Sequence, residues 1–338
     1  MIILNNHNLK EHNTFGISSI AEYFVNIDSI ESLSELLASD VFLQNKRFIL
    51  GEGSNVLFSH DYHGLIIAMD IQGIKIIEES NEDVIIEAAA GTSWNEFVTY
   101  CLDNNYYGLE NLALIPGKCG AAPVQNIGAY GVEQKDFFYS LSGINMATGE
   151  HQVINKEECE FGYRDSIFKK QLKDSFIVTA VQYKLSKTEN LNLSYHELAT
   201  EIEGITNEIP SARLLYDCVC KLRNSKLPNY KEQGNAGSFF KNPMISLEHL
   251  YNIRRQYPEL RGSPNSRNFY KVSAGWLIEK CGWKGKSLGN AAVSSQHALI
   301  LINTGSASGS ELLELADKIT VSVKEQFEIS LEKEVLVL

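Results

Sequence analysis

The chain has 338 residues, 44% of them hydrophobic and 21% charged, a composition typical of a globular protein with a substantial core. At about 100–200 residues per domain, this length predicts two domains. The formal net charge of −12 makes nucleic acid a poor partner, because an acidic surface repels phosphate backbones. No stretch approaches the roughly 18 apolar residues of a membrane span, and the first residues do not resemble a signal peptide. We therefore expect no membrane partner.

The six cysteines are dispersed along the chain and form no C-x-x-C pair. A chain of this length does not need disulfide bonds to fold, so the pattern favours reduced thiols, a cytoplasmic location and no metal site.

Helix and strand signals alternate in the first half of the chain. Ser29–Ala38 has helical spacing, "RFILGEGSNVLF" (47–58) indicates a strand, a glycine-rich turn and a second apolar run, and residues 74–91 predict a hairpin. Ser93 and Glu96 then predict a capping box. The helix that it opens has an apolar side formed by Trp94, Phe97, Val98 and Cys101. This order indicates an α+β arrangement.

The stretch from Leu112 to Gly131, "LALIPGKCGAAPVQNIGAYG", contains glycines and prolines that interrupt any long helix or strand. Lys118 is its only ionised residue, whereas ordinary surface loops are more polar. Irregular backbone must still satisfy its N–H and C=O groups, and a bound ligand is one candidate partner.

Strands resume around residues 142–154 and 175–185, and the polar segment 186–210 indicates a boundary before a second domain. In that domain "SAGWLIEKCGW" (273–283) has helical character and "HALILIN" (297–303) predicts a buried strand. Ser308 and Glu311 predict a second capping box. The helix that follows carries Leu312, Leu315, Ile319, Val323 and Phe327 on one face.

The last residues, "FEISLEKEVLVL" (327–338), alternate apolar and polar side chains. This period of two predicts a terminal strand with Glu332 and Glu334 on one face, where most such glutamates face solvent.

"GEGSN" (51–55) follows a strand, and its glycines allow backbone N–H groups to approach an anion closely, although a plain tight turn is the commoner interpretation. Together with the uncharged stretch 112–131, it favours a large nucleotide cofactor with a flat ring system.

Arg164 in "FGYRDS" is either a turn residue or a guanidinium that binds a carboxylate in bidentate fashion. Ser238 in "GNAGSFFKNP" is first interpreted as a turn residue, because most serines in such stretches only satisfy the local backbone. Its hydroxyl could act as an acid only toward a strongly basic centre such as an enolate.

The motifs "NTFG", "GEGSNVLF", "GLENLALIPG", "PVQNIGAYG", "FGYRDSIFK", "GNAGSFFKNP", "AGWLIE" and "LEKEV" occur in one order from about Asn13 to Val335. In that order and wording the chain resembles the UDP-N-acetylenolpyruvoylglucosamine reductase family. The spacer around "LNLSYHEL" resembles the branch of the family with an extra tyrosine-bearing loop over the active site.

The resemblance implies an α+β fold: an FAD-binding domain of the vanillyl-alcohol-oxidase (PCMH) type and a C-terminal α+β substrate-binding domain. The implied boundaries are 1–187 for the first domain (subdomains of about 1–70 and 71–187), 188–209 for the tyrosine loop and linker, and 210–338 for the second domain. The last strand is expected to return to the active site.

The resemblance also implies FAD and NADPH as cofactors and UDP-N-acetylglucosamine enolpyruvate as substrate of a cytoplasmic, monomeric enzyme of peptidoglycan precursor synthesis. Hydride would pass from the reduced flavin N5 to the terminal enolpyruvyl carbon. The implied catalytic residues are Arg164, which binds the carboxylate, Ser238, which protonates the adjacent carbon, and Glu334, which polarises the carboxylate.

The residues that the family resemblance assigns to ligand contacts fall into two groups. The FAD contacts would come from Gly51, Glu52, Gly53, Ser54, Asn55, Val56, Leu57, Ile115, Pro116, Gly117, Gly120, Ala121, Ala122, Gln125, Asn126, Gly128, Ala129 and Gly131. The substrate contacts would come from Tyr130, Tyr195, Lys226, Asn242 and His297.

The chain departs from a close relative in the family at three places: Ala121 and Ala122 replace a serine pair, Leu336 replaces an arginine, and Ser295 and His297 lie where other side chains occur. Two alternatives remain open at this point. One is a non-catalytic UDP-sugar or flavin-binding sensor, which the first two departures would favour. The other is an oxidase of the same fold, which would need fast oxygen reactivity.

Overall fold

The computed structural model describes residues 1–266 and 268–338, and helices and strands mix throughout, as the sequence predicts. The helices are α1 (Ile30–Leu37), α2 (Asp40–Gln44), α3 (Trp94–Asp103), α4 (His196–Glu203), α5 (Ala212–Lys226), α6 (Leu247–Gln256), α7 (Ala274–Lys280) and α8 (Gly309–Phe327). Within these described ranges, no helix combines the length and the apolar character needed to cross a membrane.

The strands are shorter on average in the second half of the chain. They are β1 (Ile3–Asn8), β2 (Ile20–Ile27), β3 (Arg47–Leu50), β4 (Val56–Leu57), β5 (Tyr62–Met69), β6 (Ile74–Glu79), β7 (Asp83–Ala89), β8 (Gly128–Ala129), β9 (Val132–Glu133), β10 (Phe138–Asn145), β11 (His151–Asn155), β12 (Phe176–Ser186), β13 (Met244–Ser246), β14 (Gly262–Ser266), β15 (Phe269–Val272), β16 (Ser287–Leu288), β17 (Ala291–Val293), β18 (Leu301–Asn303) and β19 (Leu336–Val337).

The chain divides into two compact units. Unit 1 comprises Met1–His7, Ala21–Glu52 and His63–Ser225, and unit 2 comprises Asn8–Ile20, Gly53–Tyr62 and Lys226–Leu338. Two short segments of the N-terminal half thus group with the C-terminal part. All of α5 except Lys226 belongs to unit 1. The domain boundaries implied by the family resemblance stay predictions.

Unit 1 is built on an antiparallel five-stranded sheet with the order β11-β10-β12-β7-β6. Side chains of α3, α4 and α5 pack on it in one apolar core, in which Trp94 and Tyr183 are fully buried and meet edge to face with ring centroids 5.6 Å apart. A second sheet, β1-β2-β5-β3, contains the parallel pair β3 and β5 and shares a separate core with α1 and α2.

Unit 2 contains two antiparallel three-stranded sheets, β13-β15-β14 and β16-β17-β18, and the parallel pair β19-β4. Its core is lined by the apolar face of α8, and Leu312, Leu315, Ile319 and Val323 are fully buried there. The pair β19-β4 joins the end of the chain to the segment that follows "GEGSN".

Most of the predicted elements are confirmed. The helix at 29–38, the strand and turn at 47–58 and the hairpin at 74–91 correspond to α1, to β3 and β4, and to β6 and β7. The capping box of α8 is present, with Ser308 and Glu311 each accepting the backbone N–H of the other.

Two predictions are wrong. Ser93 makes no side-chain cap on α3, because its backbone bridges to Lys118 and the first helical N–H, that of Trp94, donates to Gly117 O (2.9 Å). The terminal strand is also shorter than predicted: α8 extends to Phe327, and only Leu336–Val337 form a strand. Residues 327–335 alternate in burial because their apolar side chains pack in the core of unit 2, and they do so without the hydrogen bonds of a regular strand.

Replacing Trp94 with Phe should lower the free energy of unfolding by about 2–4 kcal/mol, because it leaves a cavity and an unpaired buried carbonyl. The indole Nε1–H of Trp94 donates to Leu112 O at 2.9 Å, and the side chain is 1% exposed. Urea unfolding followed by circular dichroism measures the change. Trp283→Phe, at a half-buried position of unit 2, is the control. An equal shift for both variants would contradict this role for the indole bond.

Candidate active site

The two stretches of unit 1 that the sequence assigns to cofactor binding lie side by side. Glu52 Oε2 accepts the N–H of Gly117 at 2.6 Å. A Cβ at Gly51 would lie 3.5 Å from side-chain atoms of Ala121 and Lys118. The end of β3 and the turn after "IPG" are therefore joined through one carboxylate and one close backbone approach.

The irregular segment 112–120 is held at the start of α3. Besides the bonds of Trp94 to Leu112 and Gly117, Asn95 Oδ1 accepts the N–H of Leu114 at 2.7 Å. Further on, the N–H of Gly120 donates to Ala90 O (2.9 Å). Protein groups thus satisfy much of the backbone for which the sequence left a ligand as one candidate partner.

The accessible part of this segment has the chemistry that a flat, extended cofactor needs. Residues 114–118 are half-buried, residues 128–130 are half-buried, and Ala121 and Gly131 are exposed. The one ionised side chain, Lys118, has its Nζ 3.4 Å from Asp70 Oδ1. An uncharged surface with closely approachable backbone fits FAD.

Two predicted cofactor residues have side chains that face the protein. Ala122 is 2% exposed and belongs to the core of unit 1. Asn126 is fully buried; its amide donates to Glu133 (3.0 Å) and Gly162 (2.9 Å), and its Oδ1 accepts from Gln134 (3.2 Å). Of the two alanines that replace serines, only Ala121 is exposed.

Arg164 projects from a tight turn in which Gly162 and Asp165 exchange backbone hydrogen bonds of 2.9 and 3.3 Å. Its φ is +55°, a conformation that costs free energy for a non-glycine residue. The guanidinium Nη2 donates to Gly128 O at 2.8 Å. The structure therefore places Arg164 beside the 128–131 part of the predicted cofactor segment.

Tyr130 and Tyr195 meet edge to face, with ring centroids 5.2 Å apart and an interplanar angle of 80°. Tyr130 has a φ of +48° and is half-buried, whereas Tyr195 is 41% exposed and immediately precedes α4. The structure brings the two predicted substrate residues of unit 1 into contact.

A buried cation adjoins this pair. Arg223 on α5 has an inaccessible Nε without a hydrogen-bond partner among the described residues. Burial raises the pKa of Tyr130 to about 12, and the Arg223 charge partly opposes that rise. The Tyr130 phenol is therefore neutral at pH 7, and burial lowers the pKa of Arg223 from its ordinary value.

In unit 2 the residue that follows Ser238 is bonded to Glu334. Ser238 is exposed, while Phe239 and Phe240 are 0% and 1% exposed and pack in the core. Phe239 N donates to Leu299 O, and Phe239 O accepts the N–H of Glu334, both at 2.8 Å. Two buried rings and a backbone bridge on each side thus fix the residue that bears the hydroxyl.

Residues 53–57, the rest of the predicted cofactor stretch that begins at Gly51, are bonded to the same part of unit 2. Gly53 has a φ of +67°, and a Cβ there would lie 2.2 Å from His12 O, so only glycine fits. Asn55 Nδ2 donates to Glu334 O at 3.2 Å. Leu57 is fully buried and Val56 is 8% exposed, whereas Ser54 is half-buried.

The remaining predicted substrate residues also lie in unit 2. Asn242 Oδ1 accepts the N–H of Ala274 at the start of α7 (2.9 Å), which orients its NH₂ group outward as the donor. Leu299 N donates to His297 Nδ1 at 3.2 Å, favouring the Nε2–H tautomer. Burial, followed by the charges of Lys226 and Lys284, holds the pKa of His297 below its ordinary value.

Sequence reasoning missed several residues that shape the site. Asn111, 2% exposed, bonds the backbone of Tyr130, and Gln134 holds the buried Asn126. "GLENLALIPG" gave no local signal for Asn111, because its partners are distant in sequence. Arg223 could have been noticed only as a cation on the otherwise apolar side of a helix.

Comparisons with known proteins agree with this architecture. Residues 229–338 match the family "UDP-N-acetylenolpyruvoylglucosamine reductase, C-terminal domain", and residues 21–155 match the family "FAD binding domain". In solved structures, the UDP-N-acetylenolpyruvylglucosamine reductase from Thermus caldophilus superposes with a TM-score of 0.67 at 24% identity, covering 99% of this chain and 98% of the other.

Two relatives are similar over their full lengths. UDP-N-acetylenolpyruvoylglucosamine reductase from Flavobacterium johnsoniae is 44% identical over 339 residues, with 100% of both chains covered. The reductase of that name from Paraburkholderia phytofirmans is 42% identical over 328 residues, with 96% of this chain and 95% of the relative covered. The predicted fold class, a PCMH-type FAD-binding domain with a C-terminal α+β domain, is confirmed. The chain therefore belongs to the UDP-N-acetylenolpyruvoylglucosamine reductase family and is an oxidoreductase.

Proposed function

We propose that the protein reduces the enolpyruvyl ether of UDP-N-acetylglucosamine to UDP-N-acetylmuramate, with bound FAD and with NADPH as reductant. We further propose that it acts as a cytoplasmic monomer in peptidoglycan precursor synthesis. The observation that carries the proposal is the exposed Ser238, whose position is fixed by the buried Phe239 and Phe240 and by the bond of the Glu334 N–H to Phe239 O, in a chain of this family. A binding protein without catalysis would have no use for a fixed proton donor.

Bound FAD, reduced by NADPH, would supply a hydride for the terminal carbon of the enolpyruvyl group. Residues 51–57 and 115–131 would hold the cofactor, mainly through backbone groups. The bond between Glu52 and Gly117 supports this assignment, because it fixes the relative position of two of these stretches before a ligand binds.

Arg164 would bind the substrate carboxylate, onto which negative charge spreads as the hydride arrives. A guanidinium already anchored to Gly128 O needs little reorganisation to stabilise that charge. Removal of one such donor typically costs about 10²–10³ in rate.

Ser238 would give its hydroxyl proton to the carbon next to the carboxylate. Hydride and proton together saturate the double bond, and solvent reprotonates the serine. An enolate-like carbon is basic enough to accept a proton from a hydroxyl, which resolves the mismatch of pKa values that a serine acid otherwise presents. Glu334 would polarise the same carboxylate.

The residues predicted to contact the substrate would bind the parts of it away from the enolpyruvyl group. Lys226 and Asn242 would contact the diphosphate, with the Asn242 NH₂ oriented by its bond to Ala274, and His297 would lie near them. Tyr130 and Tyr195 would line the substrate cleft.

The purified protein should carry FAD, and NADPH should bleach the flavin absorbance under anaerobic conditions. Subsequent addition of the enolpyruvyl substrate should restore it, because the substrate accepts the electrons. Bleaching without restoration would overturn the substrate assignment. Rapid oxygen uptake in steady state would favour an oxidase.

Ser238→Ala should leave the reduction of flavin by NADPH within about twofold of wild type and slow its reoxidation by substrate by about 10²–10⁴-fold. Only the second half-reaction needs the proton. Stopped-flow absorbance separates the two, and Ser322→Ala, a half-buried serine on α8, is the control. Equal damage to both half-reactions contradicts the proton-donor role.

The pKa of His297 should lie below 6.5 in the free protein and rise on binding of UDP, because a nearby diphosphate favours the imidazolium. In the free protein, this lowered pKa makes stability fall as the pH drops below 6.5, since the unfolded state binds the proton more tightly. NMR titration with and without UDP measures the shift, and His297→Gln assigns the signal. An unchanged titration would place His297 away from the diphosphate.

A further inference from the structure

One buried amide joins two parts of unit 1 that are far apart in sequence. Asn111 lies in a single 3₁₀ turn (Glu110–Leu112) and is 2% exposed. Its Nδ2 donates to Tyr130 O and to Asn192 O, each at 3.0 Å. A primary amide has two N–H donors, so each carbonyl receives one.

The segment that contains Asn192, residues 188–195 and here called the tyrosine segment, has two leucines that pack against the core of unit 1. Leu191 and Leu193 are half-buried, and Tyr195 at its end is exposed. A pocket of about 520 Å³ is lined by residues 190–194 of the tyrosine segment and by other residues that include Tyr107 and Phe137. Polar contacts join the tyrosine segment to the rest of unit 1 in addition to these two leucines.

Asn192 is the centre of those contacts. Its Oδ1 accepts both the N–H (3.0 Å) and the hydroxyl (2.6 Å) of Ser194, which shapes the turn just before Tyr195. Its carbonyl is one of the two groups that Asn111 holds. The Asn111 amide thus acts on the turn from which Tyr195 projects.

The other carbonyl that Asn111 binds is that of Tyr130, which lies in a turn next to the tyrosine segment. Gly131 has a φ of +85°, and a Cβ at that position would lie 2.5 Å from Ser194 Oγ. The ring of Tyr130 contacts that of Tyr195, as described above. Asn111 therefore bonds both the Tyr130 turn and the tyrosine segment where the two meet.

We propose that Asn111 is a positioning residue that docks the tyrosine segment on the Tyr130 turn and so sets the place of Tyr195 for substrate binding. The inference rests on the proposed function, in which both tyrosines line the substrate cleft. Asn111 contributes to affinity without touching substrate. A neutral side chain with two donors is required, because aspartate would present acceptors to two carbonyls.

Asn111→Leu, which keeps the size and removes both donors, should raise KM for the enolpyruvyl substrate about five- to tenfold and leave flavin reduction by NADPH unchanged within about twofold. In a Tyr195→Ala background the same substitution should add less than about twofold to KM, because the residues act through one another. Equal fold-changes in both backgrounds would overturn the proposal. Asn104→Leu, an exposed amide with one bond to Tyr100 O (2.8 Å), is the control.

A readout independent of activity distinguishes the proposal from a general loss of stability. Hydrogen exchange of the Ser194 amide should quicken at least tenfold in Asn111→Leu, while amides of the central strand β12 keep their protection. Unchanged exchange at Ser194 would overturn the proposal. If the wild-type protein lacks substrate-dependent flavin reoxidation, the proposed function fails, and the exchange experiment still decides whether Asn111 docks the segment.

Asn192→Ala approaches the same docking from the other end and serves if Asn111→Leu does not fold. It removes the acceptor for Ser194 and the Nδ2–H donor to Gly131 O (3.5 Å), and these bonds hold the turn whose carbonyl Asn111 binds in place beside the Tyr130 turn. We expect a rise in KM of similar size and the same non-additivity with Tyr195→Ala. A KM equal to wild type would overturn the proposal.

Discussion

The hydrogen bonds between the start of α3 and the irregular segment 112–120 are the constraint on which the candidate site depends. Trp94 contributes both its indole and its backbone N–H, and the Asn95 side chain accepts a third bond. Without these partners the buried backbone groups would each cost about 1–3 kcal/mol. Because protein groups satisfy them, the surface for a flat cofactor exists before the ligand binds, which reduces the entropy lost on binding.

Backbone strain is concentrated in the same region. Leu114, Asn126, Tyr130 and Arg164 all have positive φ values, a conformation that non-glycine residues adopt only when surrounding contacts impose it. For Asn126 and Arg164 these contacts are explicit: a fully bonded amide in the core, and a guanidinium anchored to Gly128 O. Rigidity of this kind suits a site that must hold charge-stabilising groups at fixed positions.

Unit 2 holds Ser238, the proposed proton donor, by a different means. The glycines around Ser238 supply no rigidity, but Phe239 and Phe240 are buried and the chain is bridged to Leu299 and Glu334 on its two sides. Asn55 bonds the Glu334 carbonyl, and β4 pairs with β19 next to it. The last residues of the chain therefore position Glu334 through backbone bonds, although they form a shorter strand than their alternation predicted.

The sequence by itself determined the elements whose signals are local: the helix α1, the helix α8 with its capping box, the hairpin β6–β7 and, through long ordered motifs, the family. Motif matching also predicts catalytic roles for Arg164, Ser238 and Glu334, whose chemistry alone does not distinguish them from turn or surface residues. Only the tertiary structure decided that Ser93 is not a cap, that Asn126 faces the protein and that Asn111 joins Tyr130 to Asn192. Each of these depends on partners distant in sequence, and a local pattern contains no information about which distant groups will compete for a hydrogen bond.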